Sequence, residues 1–355
     1  MFWFRLFLLF ALTLLSGSVI SGFTIPILTS SSLAHRGYHP AAIVSSNKLH
    51  ASPGDANEGT VSVTRSVPIK DDDDDNDEKE ETSTHDIYYR VVRPMSLSSQ
   101  KAAPIVALAG GPGLPSQYLY PLEDVIPYRS IVFHDQLGCG KSDQPENEDL
   151  FSIANSVQDL RALLKKLGIR RFHLYGQSYG GILAYEYMKY CAEQHKDDDD
   201  EPKCLSAVLS SAPTNIDVFE AEASRMYQDL LVQNFGISAK ELEEIFRLNH
   251  QCRLPEEPEL LKDSKAKAGK VWRGTHVIAD YVAKPPSQDA ARMPSSLILR
   301  GEYDFVSQTS VDRWKSKFNT KFLRYKTLEG CSHHALFENG KLYGETLDSY
   351  FSEYD

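Results

Sequence analysis

One serine stands between glycines in the run Gly176-Gln177-Ser178-Tyr179-Gly180-Gly181, directly after the β-prone RFHLY and directly before the helix-like GILAYEYMKY. The spacing G-x-S-x-G in a strand–turn–helix setting is that of a nucleophile elbow, in which small neighbours let backbone pass close to an exposed hydroxyl. A serine hydroxyl needs a base to take its proton, and the base needs an acid to fix its tautomer. Two later stretches supply candidates. The apolar run LILRGEY delivers Asp304 at its end, and LEGCSHH delivers His333 and His334 just before the last helical stretch. Acyl transfer also needs backbone donors for the developing oxyanion. The amide of Tyr179 is one candidate, and the glycine turn that carries Gly110 and Gly111 offers the other.

These residues must be held by strands and helices, and the pattern supplies both. TVSVTRSVPI and HDIYYRVVR are β-prone runs on either side of an acidic tract, and read as a hairpin with a lengthened loop. PIVALAGGPG and SIVFH are continuous apolar runs, as expected of strands buried on both faces. Val157, Leu160, Leu163, Leu164 and Leu167 recur at helical spacing. Strand and helix alternate through LSAVLSSAP, which predicts an α/β fold with a mostly parallel sheet and helices on both faces. The alternation stops over residues 214–290, where VFEAEASRMYQDLLVQNF and SAKELEEIFRLNHQCRL read as helices of an inserted cap. It resumes with SSLILRGEYD, SQTSVDRWKSKF, KFLRYKTLEG and a final helix from Gly340 to about Glu353.

GGPG, FHDQLGCGKSD, GQSYGG, GEYD and GCSHH together resemble the proline iminopeptidase family of α/β-hydrolases (serine peptidase family 33), which includes the tricorn-interacting aminopeptidases. The likeness spans roughly residues 60–355 and is strongest over 104–213 and 297–338. It implies the α/β-hydrolase fold with a cap, Ser178 as nucleophile, Asp304 as acid and His333 as base. It also implies release of N-terminal residues, often proline, from short peptides or aminoacyl amides, without a cofactor. Three positions depart from the family pattern: Ala109 where a histidine is usual, Leu137 within the DQ-x-G motif, and Phe305 where some relatives place an acid. An aminopeptidase must pair its substrate's ammonium with a carboxylate, since an unpaired buried charge is costly. The cap offers Glu241, Glu243 and Glu244, with Glu243 and Glu244 the chosen pair. The other readings are an esterase or lactonase with the same triad, a ligand sensor that keeps the fold for binding, and a membrane-tethered scaffold.

The 355 residues carry a formal charge of -11, but the excess is local. Residues 71–81 carry net -8 and residues 197–201 carry -5, which leaves +2 for the rest of the chain. Such blocks are expected to be solvated loops, the first over 71–82, and neither has the glycine-turned spacing of a calcium loop. No basic, aromatic cluster suited to nucleic acid is present. MFWFRLFLLFALTLLSGSVISG has the order of a secretory signal peptide over residues 1–22, with an uncleaved anchor as the alternative. Residues 23–53 lack acids and are rich in serine, as in a transit peptide. A pro- or transit-like segment is therefore expected over 23–59. The protein should enter the secretory pathway, to be secreted or lumenal or to reach a plastid through a two-part presequence. Of the five cysteines, Cys191 and Cys204 flank the second acid run and are the expected clip. No C-x-x-C metal spacing occurs.

Overall fold

The loops that carry Gly111, Ser178, Asp304 and His333 all follow parallel strands of one sheet in the computed structural model. It describes residues 56–68, 80–94, 102–194 and 201–355. The strands are β1 (Asn57–Pro68), β2 (Glu80–Val92), β3 (Ile105–Leu108), β4 (Ile131–His134), β5 (Arg171–Gln177), β6 (Lys203–Ser210), β7 (Ser295–Gly301) and β8 (Leu323–Leu328). They form one sheet in the order β1-β2-β4-β3-β5-β6-β7-β8. β1 and β2 pair antiparallel as the anticipated hairpin, β2 meets β4 antiparallel, and all later neighbours are parallel. The helices are α1 (Leu122–Val125), α2 (Ile153–Lys166), α3 (Tyr179–Gln194), α4 (Ile216–Gln233), α5 (Ala239–Phe246), α6 (Glu259–Ala266), α7 (Gln308–Asp312), α8 (Ala335–Glu338) and α9 (Gly340–Ser352).

β5 shows why both sheet faces are covered. Side chains alternate across a strand. Phe172 meets Tyr187 of α3 on one face, while His173 and Tyr175 meet Phe351 and Tyr343 of α9 on the other. β3 and β4 are buried at every position, as their unbroken apolar runs require. The stretch between β6 and β7 holds α4, α5 and α6, and a bridge between Asn215 and Val282 joins its two ends.

Several boundaries shift. The signal and transit-like segments lie outside the described residues except at their end, where β1 begins at Asn57 rather than after residue 59. β2 begins at Glu80, so the last acids of the first tract are strand residues paired with β1. Residues 69–79 and 195–200 lie outside the described residues. Glu201 corrects the second tract: it is buried, because Arg161 and Lys165 stand one turn apart on α2 and hold its carboxylate at 2.6 and 3.0 Å. All five cysteines are free thiols, so Cys191 and Cys204 form no clip. Burial pushes the Cys191 thiol up to about 11 and raises Cys204 too, which suppresses the thiolate that exchange needs.

The Glu201 pairing sets a pH dependence. Burial raises its pKa, but the hydrogen bonds from Arg161 and Lys165 outweigh that and hold it at about 2. A carboxyl whose folded pKa is depressed stabilises the fold above its unfolded value, about 4.3. That stability fades as pH falls towards the folded value. Glu201→Gln should therefore lower the melting temperature at neutral pH, and its gap to wild type should close between about pH 4.3 and 2. A gap that persists unchanged into that window would show that the charge is not what stabilises the site.

Candidate active site

Ser178 occupies the turn from β5 to α3 with φ +56°, a left-handed conformation rare for a serine and typical of strained functional turns. The flanking glycines are required by closeness, not by φ. A Cβ on Gly176 would lie 2.1 Å from the Gly180 carbonyl oxygen, and one on Gly180 would lie 2.0 Å from that of Leu108. The turn is pinned by Ser178 N–H donating to Ser210 O at 2.8 Å and Gly181 N–H donating to Ser178 O at 2.9 Å.

Asp304 and His333 come from the loops after β7 and β8, as expected. His333 Nδ1 lies 2.9 Å from Asp304 Oδ1, and Asp304 is 1% exposed. An ionised carboxylate only accepts, so Nδ1 is the donor in this pair and Nε2 of the neutral ring is left as an acceptor. Asp304 Oδ1 also accepts from Val306 N at 2.8 Å, which fixes the carboxylate plane. Gln177, next to the serine, donates from Nε2 to His333 O at 3.4 Å and so ties the elbow to the histidine loop. His334 is not the partner of Asp304. Its ring stands edge-on to Tyr118 and Phe337, and burial holds its pKa well below the usual histidine value.

The oxyanion assignment changes in one residue. The Gly110 amide donates to Tyr118 Oη at 2.7 Å, so it cannot point at a substrate. Tyr118 in turn donates to Gln177 Oε1 at 2.7 Å, which makes the hydroxyl a strut between the glycine turn and the elbow. The Gly111 amide and the Tyr179 amide remain as the candidate donors. The turn is further braced by Gln136, whose Nε2 donates to Ala109 O and Gly110 O while its Oε1 accepts from Gly113 N. Sequence reading missed Tyr118 and Gln136 as organisers; the DQ of FHDQLGCGKSD was the available signal for the second.

The cap glutamates do not serve as chosen. Glu241 closes a capping box with Ser238 at the start of α5. Glu243 is exposed. Glu244 is bound by Arg247 at 2.5 and 2.8 Å, so its charge is already matched. Leu242 and Phe246 take the buried face of α5, which turns the glutamates between them outwards. The side packed against His333 is aromatic instead. Phe305 lies over His333 with ring centres 4.2 Å apart, and Phe219 of α4 and Phe246 of α5 pack around it.

The alpha/beta hydrolase family pattern matches residues 105–344. The chain belongs to that family. Curated relatives agree with the resemblance carried by the motifs. The proline iminopeptidase of Thermoplasma volcanium is 28% identical over 288 residues, 74% of this chain and 91% of that protein. The proline iminopeptidase of Lactobacillus crispatus is 36% identical over 153 residues, 42% of this chain and 48% of that protein, so the chain spans about half the length of that relative. Among solved structures, the proline iminopeptidase of Mycobacterium smegmatis superposes with a TM-score of 0.64 at 18% identity, over 82% of this chain and 98% of that one. An esterase of Exiguobacterium antarcticum gives 0.54 at 18% identity, over 76% and 96%. These two likenesses carry the fold.

Proposed function

We propose that this protein is a serine hydrolase that releases N-terminal residues from short peptides through an acyl-enzyme. The observation that carries the reading is Ser178 held at positive φ on the elbow, with His333 paired to Asp304 on the loops of the two neighbouring strand ends. His333 takes the Ser178 proton as the hydroxyl attacks the scissile carbonyl, and the amides of Gly111 and Tyr179 receive the oxyanion. His333 then passes the proton to the leaving amine, and water repeats the sequence to free the acid.

With Glu243 and Glu244 set aside, Glu220 is the carboxylate for the substrate's ammonium. It follows Phe219 on α4, and its Oε1 accepts from Thr275 Oγ1 at 2.7 Å. Thr275 follows Gly274, whose amide donates to Pro112 O in the glycine turn. Glu220 therefore stands where the cap meets the proposed oxyanion loop. The aromatic cover of Phe305, Phe219 and Phe246 favours an apolar acyl group, and it also supports the second reading, an esterase or lactonase with the same triad.

A panel of prolyl, alanyl and leucyl amides, their N-acetylated forms and simple esters separates the two. A charge-assisted contact to the ammonium is worth about 1.5–3 kcal/mol, so free amines should be cleaved roughly ten to a hundred times faster than acetylated ones. Glu220→Gln should shrink that ratio. Equal rates on free and acetylated substrates, with good turnover of esters, would replace the aminopeptidase by the esterase.

A further inference from the structure

Asp304 and His333 lie on two loops, neither of which is a regular element, and the cap reaches both with one turn. After α5 the chain widens into the π-helical turn Arg247–Gln251. His250 O accepts from Phe305 N at 3.4 Å and His333 N at 3.3 Å, and Gln251 O accepts from His334 N at 3.0 Å. His250 Nδ1 donates to Tyr303 O at 2.9 Å. A single cap turn thus binds the residues on both sides of Asp304 and the backbone of His333 itself. Turns of this kind are rare and collect at functional sites.

Two charged groups hold the turn in place. Arg247 is buried, and its Nη1 and Nη2 donate to the carbonyls of Cys252, Leu254 and Pro255 at 2.9, 3.1 and 3.1 Å, with Glu244 balancing the charge. Glu338, on α8 just beyond His333, closes the other side. Its Oε1 accepts from Arg253 N at 2.6 Å and Ser332 Oγ at 2.5 Å, and its Oε2 accepts from Ser332 N at 2.5 Å. One carboxylate therefore fastens the chain leaving the turn to the residue that precedes His333.

We propose that Glu338 is a positioning residue for His333, and that with the π-turn it forms the link through which the cap sets the alignment of the His333–Asp304 pair. The proposal rests on the reading of Ser178 and His333 as nucleophile and base. Its chemistry is geometric: three donors converge on one carboxylate, and removing it leaves Arg253 N and Ser332 without acceptors while the histidine loop loses its tie to the cap. A misplacement of about 1 Å in a reacting group costs about a hundredfold in rate.

The test uses the full chain, an aminoacyl amide substrate and a fluorophosphonate probe that labels an activated serine. Glu338→Ala should lower kcat and the labelling rate about a hundredfold while leaving KM within about threefold, because alignment and not binding is lost. Glu338→Gln, with its oxygen in the Oε1 position, keeps the bonds from Arg253 N and Ser332 Oγ and loses only that from Ser332 N, so it should recover about a tenth or more of wild-type activity. The downfield proton resonance of a histidine Nδ1–H donating to a carboxylate should weaken in Glu338→Ala and return in Glu338→Gln. A folded Glu338→Ala protein with wild-type kcat, labelling and resonance would overturn the proposal, as would a loss confined to KM. Should Glu338→Ala fail to fold, Arg247→Met carries the test by loosening the same turn from the other side, and an unchanged kcat there is equally fatal. If the wild type is not labelled, or Ser178→Ala still is, the nucleophile reading fails instead, and the resonance alone decides the link.

Discussion

Ser178→Ala is expected to lower kcat by about 10⁶-fold, the scale seen when the serine of such a triad is removed alone. The fold should survive. Alanine in the left-handed region carries much the same backbone cost as serine, and the elbow is held by backbone hydrogen bonds to Ser210 and Gly181 that the substitution leaves intact. The measurement is steady-state cleavage of an aminoacyl amide, with circular dichroism to verify folding. His333→Ala should fall by a similar factor, because nucleophile and base act as one unit. His334→Ala should lose far less, since that ring meets Tyr118 and Phe337 rather than Asp304. More than a tenth of wild-type activity in Ser178→Ala would end the triad assignment, and the opposite ranking of the histidines would move the base to His334.

The sequence was most readable where chemistry and backbone geometry coincide. Gly176 and Gly180 are demanded by contacts of about 2 Å from any added Cβ, so the elbow had to show itself as glycines around a serine. The unbroken apolar runs of β3 and β4 followed from burial on both faces, and the order of Ser178, Asp304 and His333 followed from the order of the strands that carry them. The glutamates failed for a reason already visible in α5. Leu242 and Phe246 are four residues apart and define its buried face, which leaves Glu243 and Glu244 on the flanks. Gly110 failed for a reason that was not visible. Its amide is taken by Tyr118, and no spacing rule pairs a turn amide with a tyrosine hydroxyl eight residues on. Glu338 and Arg253 are 85 residues apart, so their contact exists only once the cap has folded back over the histidine loop.

Asp304→Asn should cost about 10³–10⁴ in kcat with little change in KM, and the hydrogen bonds around the carboxyl explain why an isosteric swap is so damaging. Asp304 Oδ1 takes two donors, Val306 N at 2.8 Å and His333 Nδ1 at 2.9 Å, while Oδ2 is buried with no partner among the described residues. Asparagine can be placed in two ways. With its carbonyl oxygen in the Oδ1 position it keeps both bonds, but its NH₂ then fills the Oδ2 position, where two buried donors go unmatched. With its NH₂ in the Oδ1 position it faces the Val306 N–H, and His333 can bond to it only through an unprotonated Nδ1. That tautomer carries its proton on Nε2, where the lone pair is needed to accept from Ser178. The first placement removes the negative charge that stabilises the imidazolium formed during acylation, and the second removes the base itself. Nitrogen-15 spectra of labelled histidine would report which placement the variant adopts, and burst kinetics would show whether acylation is the step that slows. A fall in kcat of less than tenfold would mean that His333 draws its orientation from the cap turn and Phe305 alone, with Asp304 holding only the Val306 backbone.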